Sequence, residues 1–336
     1  MNTTGHFLTV SAVIRRTLFP VKPPASTTWS TSIDDPLVGR VALSGRLSCP
    51  ANALDLAILV HGLGGSSDSG YMTSAARAAD ALGMACLRFN LRGADGRSGD
   101  FYHGGLTTDL HAAVSALSAS GFERIFVLGF SLGGHVALRF ATEVDEPSVV
   151  AVAAVCSPLD LAAGVQAIDS PLMAPYRAYV LRRLKANYES TARLGSVPTP
   201  PGDLQSVRTL REWDSLTVVP RFGFDDPDDY YAKASVGPVM DRLRRPALLL
   251  AAEDDPMIPP VAIRPALAAA RETDAVKRFL TVRWLGRGGH LGFQSRLDLG
   301  LEGPPGMESQ ILLWLLQTAA GRRRSRSVFY SLSRTS

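Results

Sequence analysis

Gly129-Phe130-Ser131-Leu132-Gly133 is the stretch whose reading decides the fold. The letters Gly-x-Ser-x-Gly are common alone, but here an apolar run, Arg124 to Phe130, leads in and a helix-like stretch, Leu132 to Thr142, leads out. A serine at a strand-to-helix corner occupies a tight, strained turn that lifts its Oγ clear of the sheet. Glycines two residues either side remove side chains that would collide in such a turn. The following helix points backbone N–H groups at the corner and favours negative charge there. Ser131 therefore reads as a nucleophile rather than only as a helix cap.

Outward from this corner the chain alternates between strand-like and helix-like text. Before it come strands near 38–43, 56–61 and 84–91, with helices near 71–82 and 107–119. After it come strands at 149–156, 247–252 and 276–285, and a closing helix at 308–319. Short apolar runs alternating with helices predict an α/β fold, a mostly parallel twisted sheet covered by helices on both faces. Residues 36–156 and 242–320 form this core. Residues 157–241, rich in Arg, Tyr, Pro and Asp, are too long for a structureless loop and predict an inserted cap. Residues 1–35, rich in Ser, Thr and Pro and without a clear period, read as an N-terminal arm, and 321–336 as a basic, mobile tail.

A serine hydroxyl needs a base to take its proton. His290 lies in Gly288-Gly289-His290-Leu291-Gly292-Phe293, a glycine-rich loop after the last predicted strand, in the chain order Ser, acid, His. His135, one turn past Ser131, reads as helix packing, and His103 and His111 show no ligand spacing. The acid falls within Glu253-Asp254-Asp255-Pro256, just after the strand at 247–252. Asp255 is favoured over Asp254, and would orient the imidazole and stabilise its protonated form. Two backbone N–H groups should hold the developing oxyanion: that of Leu132, beside the nucleophile, and that of Leu63 in His61-Gly62-Leu63-Gly64-Gly65. That loop lacks the Gly-Lys-Ser/Thr ending and the Gly-x-Gly-x-x-Gly spacing of nucleotide sites.

Composition narrows the alternatives. With 46% hydrophobic and 20% charged residues, the chain can bury a core. The net charge of +4 owes much to Arg322, Arg323, Arg324 and Arg326, with no aromatic-basic stripe elsewhere, so nucleic acid is not an expected partner. Three cysteines without a Cys-x-x-Cys pair give no disulfide framework and no zinc or redox motif. The apolar stretch Phe7 to Ile14 has its charges after it rather than before it, so a secretory signal is not expected. A cytoplasmic protein that needs no cofactor or metal is the expectation, with no sequence support for membrane contact.

Taken together, the ordered motifs resemble the YheT-like branch of the α/β-hydrolases, a group of predicted serine esterases. To the three loops above, the resemblance adds Phe89-Asn90-Leu91-Arg92-Gly93, Arg211-Glu212-Trp213-Asp214 and Asp228-Asp229-Tyr230-Tyr231. It covers roughly residues 37–295; the His-Leu-Gln-Thr stretch usual ahead of the core has no counterpart here. The resemblance implies hydrolysis of carboxylic esters, acylglycerols or other acyl lipids among them, without a metal or organic cofactor. Thioester or amide cleavage, or silent binding of a small apolar ligand, are the competing readings. The cap aromatics Trp213, Phe222, Phe224, Tyr230 and Tyr231 suit an acyl chain.

Overall fold

The computed structural model describes residues 3–332, with side chains through residue 320. In chain order the first half holds α1 (Thr3–Leu18), β1 (Thr27–Asp35), β2 (Gly39–Ser48), β3 (Asp55–Val60), α2 (Gly70–Ala81), β4 (Ala85–Asn90), α3 (Thr108–Ser118), β5 (Arg124–Phe130), α4 (Leu132–Glu143) and β6 (Val149–Val155). The second half holds α5 (Leu161–Asp169), α6 (Ala174–Ala192), α7 (Leu210–Leu216), α8 (Val218–Phe222), α9 (Pro227–Ala234), β7 (Ala247–Ala252), α10 (Arg264–Ala270), α11 (Asp274–Phe279), β8 (Leu280–Leu285) and α12 (Met307–Leu332).

One sheet carries all the strands in the order β1-β2-β4-β3-β5-β6-β7-β8. β1, β2 and β4 pair antiparallel, and every pair from β4 to β8 is parallel. Burial follows the two-residue period of a strand. Leu56, Ile58 and Val60 of β3 join the core shared with α3 and α4, whereas Ala57 and Leu59 face α2 and α12 through Met72 and Ile311. Because both faces are covered, these central strands are apolar throughout.

The N-terminal region departs from the expected arm. It contains a helix and an edge strand, and both escape a reading based on apolar period. α1 meets the protein through Gly5, Thr9 and Ala12, which leave no leucine stripe to detect. β1 is mostly Ser and Thr, and is held by its backbone register on β2 from Thr27↔Leu47 to Asp35↔Gly39. The expected strand over 276–285 is also corrected. Its first part is α11, started by Thr273, whose Oγ1 accepts from the Val276 N–H, and only Leu280–Leu285 pairs with β7. α12 runs on to Leu332 into the segment expected to be mobile, and residues 333–336 lie outside the described residues.

Between β6 and β7, the segment 157–241 packs α5 to α9 around its own apolar cluster, which includes Leu184, Tyr188, Trp213 and Tyr230. Helix α4 grips both ends of it. The His135 ring lies between the carbonyls of Pro158 and Ala234, 2.9 Å from each, and Arg139 donates to the carbonyls of Lys233 and Ala234 at 3.0 Å. His135 is therefore a packing residue that fastens the inserted segment to the core.

Arg92 provides a second fastening. Its buried guanidinium donates to Asp109 of α3 at 3.0 Å, Asp100 at 2.7 Å and Asp35 of β1 at 2.9 Å. Arg221 of α8 meets the same Asp100 at 2.6 and 2.8 Å and Asp35 at 3.3 Å. Two planar cations among three carboxylates thus join edge strand, core helix and inserted segment in one network.

Candidate active site

Ser131 stands between β5 and α4 with φ 53° and ψ −122°, a conformation that side chains other than glycine seldom adopt. The turn is too tight for larger neighbours. A Cβ on Gly129 would lie 2.1 Å from the Gly133 carbonyl oxygen, and one on Gly133 would lie 2.4 Å from that of His61. Both glycines of the motif are therefore required by contact. The Ser131 N–H donates to the Val155 carbonyl at 2.8 Å, which fixes the corner against β6.

Asp255 follows β7 and His290 follows β8, so the parallel strands bring both to the edge of the sheet where Ser131 emerges. His290 Nδ1 lies 3.0 Å from Asp255 Oδ2 and 3.2 Å from Oδ1. Asp255 Oδ1 also accepts the N–H groups of Met257 at 2.9 Å and Ile258 at 3.0 Å, which lock the buried carboxylate in place. With Nδ1 donating to the carboxylate, Nε2 is the imidazole nitrogen left to accept a proton. Asp255 rather than Asp254 makes this contact. Among the described residues no hydrogen bond joins Ser131 Oγ to His290 Nε2.

The Gly62-Leu63-Gly64 loop runs beside the serine, and a Cβ on Gly62 would lie 3.0 Å from that of Ser131. Tyrosine hydroxyls accept the two flanking amides, Tyr71 that of Gly62 at 3.0 Å and Tyr102 that of Gly64 at 2.8 Å. The Leu63 and Leu132 N–H groups, by contrast, have no acceptor among the described residues. His61 supports the loop: its Nδ1 donates to the Gly62 carbonyl at 2.8 Å and its Nε2 accepts the Leu91 N–H at 3.1 Å. Burial pushes its pKa down to about 4, so it stays neutral and structural at neutral pH.

Two residues that sequence reasoning missed support the His290 loop. Thr9 of α1 accepts the backbone N–H of His290 on its Oγ1 at 2.7 Å. Cys156, which follows β6, lies beneath the His290 loop. Its Sγ accepts from the Leu291 N–H at 3.5 Å and approaches the Gly289 carbonyl at 3.8 Å. Cys156 and Leu291 share the positive φ of Ser131, at 50° and 52°, so unusual backbone conformations collect at this site. Cys156, Asp255 and His290 place donor atoms within 4.8 Å of one another, close enough to suggest a metal trio. Burial, reinforced by the nearby Asp255 charge, raises the Cys156 pKa well above its usual value and keeps it a thiol. His290 Nδ1 is engaged by Asp255 and the Cys156 Sγ by the Leu291 N–H, so contacts within the protein account for the grouping.

Under the inserted segment lies a cavity of about 70 Å³ whose wall includes Leu63, Leu132, Leu161, Leu184, Trp213 and Tyr230. It opens against both residues expected to donate to an oxyanion. Tyr231 also lines it, whereas Phe222 and Phe224 pack against His103, tilted and edge-on, with ring centroids at 4.4 and 5.6 Å.

Among proteins of known description, the chain is 32% identical over 208 residues to the inferred esterase YheT of Escherichia coli (strain K12), covering 60% of this chain and 61% of that protein. It is 28% identical to monoacylglycerol lipase of Saccharomyces cerevisiae over 62% of this chain and 49% of that one. Phospholipase ABHD3 of Mus musculus is 26% identical over 70% of this chain and 57% of its own length. The chain thus spans about half to three-fifths of these relatives. The fold is similar to that of Pyrococcus furiosus esterase Pf2001, with a TM-score of 0.50 at 17% identity over 80% of this chain and 90% of that one. It is also similar to that of Pyrococcus horikoshii acylaminoacyl peptidase, with a TM-score of 0.52 at 14% identity over 90% of this chain and 42% of that one. The family model described as alpha/beta hydrolase fold matches residues 57–291, and the chain belongs to that family.

Proposed function

We propose that this protein hydrolyses carboxylic esters through Ser131, His290 and Asp255, by way of an acyl-enzyme. The observation that carries the reading is the Asp255–His290 contact at 3.0 Å beside a serine held at positive φ. His290 Nε2 takes the proton as Ser131 Oγ bonds to the ester carbonyl carbon. The carbonyl oxygen, now negative, is held by the Leu63 and Leu132 N–H groups. The C–O bond to the alcohol then breaks, and His290 returns the proton to the departing oxygen. Water, deprotonated by His290, attacks the acyl carbon, and the carboxylic acid leaves as Ser131 regains its proton. Asp255 stabilises the imidazolium throughout without taking the proton.

The relatives named as an esterase, a lipase and a phospholipase support acyl esters as the substrate class. The cavity beside Leu63 and Leu132 is lined largely by apolar side chains, which supports an acyl group as the part of the substrate bound there. Three free cysteines, two of them buried, accord with a reducing cytoplasm.

Wild-type protein should turn over p-nitrophenyl butyrate and be labelled by a fluorophosphonate, and Ser131→Ala should lose both. Full activity in Ser131→Ala would sink the proposal. Faster turnover of matched thioesters or anilides than of esters would reassign the substrate class.

A further inference from the structure

Helix α1 has two opposite faces, and among the described residues one of them packs against the protein while the other is exposed. Gly5, Thr9 and Ala12 are buried, and Arg16 beside them meets Glu308 of α12 at 3.4 Å. On the far side Phe7, Val10, Ile14 and Leu18 are 70%, 46%, 50% and 65% exposed. At 3.6 residues per turn these four fall within roughly a quarter of the helix circumference, centred opposite the face formed by Gly5, Thr9 and Ala12. Scattered exposed apolar residues need no explanation, but a continuous stripe along a surface helix does.

The stripe continues onto the inserted segment. His6 Nδ1 lies 3.1 Å from the Tyr176 hydroxyl, and on either side of Tyr176 the side chains of Leu172 and Tyr179 are 68% and 52% exposed. The charge carried by the N-terminal segment itself has one sign. Residues 1–33 contain Arg15, Arg16 and Lys22 and no Asp or Glu, and Arg182 and Arg183 lie over the Tyr179 ring at 5.7 and 5.9 Å.

From this pairing we propose that α1, with the adjoining start of α6, seats the protein on an anionic lipid surface. An amphipathic helix with apolar residues on one side and flanking Arg or Lys binds in the plane of the lipid headgroups, through apolar burial plus attraction to anionic lipid. A second copy of the chain fits less well: a two-fold pair of this face would set the exposed Arg15 and Lys22 of one copy against those of the other, on a segment that carries no Asp or Glu of its own. The inner face of the same helix carries Thr9 on His290, so the docked surface adjoins the proposed active site. The proposal concerns binding, and its outcome is read separately from ester hydrolysis.

The full chain is sedimented with vesicles of phosphatidylcholine alone or of phosphatidylcholine with phosphatidylglycerol. It should pellet with the anionic vesicles, far less with the neutral ones, and less as salt rises. Phe7→Ser/Ile14→Ser should weaken the anionic binding about tenfold or more, and Arg15→Glu by about fivefold. These positions are exposed, so both variants should hydrolyse a soluble short-chain ester as the wild type does. Failure of the wild type to bind anionic vesicles, or undiminished binding by the double variant, would overturn the proposal. So would self-association in the absence of lipid that the double variant abolishes, which would assign the face to a contact between copies.

Discussion

Thr9 accepts the backbone N–H of His290 at 2.7 Å while its own hydroxyl donates to the Gly5 carbonyl at 2.8 Å. A helix near the start of the chain thereby holds the loop of the proposed base, 281 positions away. Thr9→Val keeps the shape and removes the acceptor, leaving a buried N–H unpaired at a cost of about 1–3 kcal/mol. If part of that cost is expressed as a misplaced imidazole, kcat on a soluble ester falls roughly tenfold with KM little changed. Thr9→Ser should restore the rate. Equal rates in wild type and Thr9→Val would show that the contact only stabilises the fold.

Asp255 and Asp254 are neighbours, and it is the Asp255 carboxylate that lies 3.0 Å from His290 Nδ1. Asp255→Asn should lower kcat about 10³–10⁴-fold, because the amide favours the wrong imidazole tautomer and cannot stabilise the imidazolium. Asp254→Asn should stay within about an order of magnitude of wild type. Steady-state rates on one ester decide the assignment, and the reverse ranking would move the acid to Asp254.

What the sequence revealed, and what it hid, follow from how each residue is held. The elbow was legible because its motif and the strand and helix text on either side are contiguous, with Gly129 fixed by backbone contact to Gly133 and Gly134. The central strands were legible because both of their faces are buried, which makes the text continuously apolar. Support for the His290 loop came instead from Thr9 and Cys156, 281 and 134 positions from His290, through a threonine on a small-residue face and a cysteine that resembled core. No local period announces such contacts. The strand β1 escaped for a related reason: its backbone pairing needs no apolar side chains, and its Ser and Thr read as loop. His135 could be read as packing, but its grip on both ends of the inserted segment required the three-dimensional path.

Arg92 and Arg221 share Asp35 and Asp100, so removing either cation leaves buried carboxylates facing one another. Arg92→Met should destabilise the fold by about 3–5 kcal/mol, the cost of breaking a buried charge network from one side. Arg92→Lys should recover only part of this, because an ammonium cannot reproduce the fork. Urea denaturation of the three proteins measures the series, and a stability of Arg92→Met equal to wild type would refute the network's role.

Acid should act on the same network through Asp35. Burial raises the pKa of this carboxyl, but the hydrogen bonds from Arg92 and the Leu37 N–H, with the charge of Arg221, outweigh burial and bring it to about 2. A depressed carboxyl contributes stability above its unfolded value of 3.8 and loses it as the pH falls toward about 2. Asp35→Asn should therefore flatten the stability profile in that window, as read by thermal unfolding. An unchanged slope there would remove Asp35 from the account.

Asp214 should give the opposite slope. It lines the cavity and accepts the Tyr231 hydroxyl at 2.7 Å. Burial raises its pKa to about 7, with Asp169 adding to the rise and the Tyr231 hydrogen bond opposing it. A raised carboxyl favours the fold while protonated, so its contribution is complete below the unfolded value of 3.8 and is lost as the pH climbs through about 7. Asp214→Asn keeps a neutral acceptor for Tyr231 and removes the ionisation. The variant should melt near wild type at about pH 4 and a few degrees above it at about pH 8. A melting difference of the same size at both values would mean that Asp214 does not ionise in the fold across this range, and the slope would have to be sought in another group.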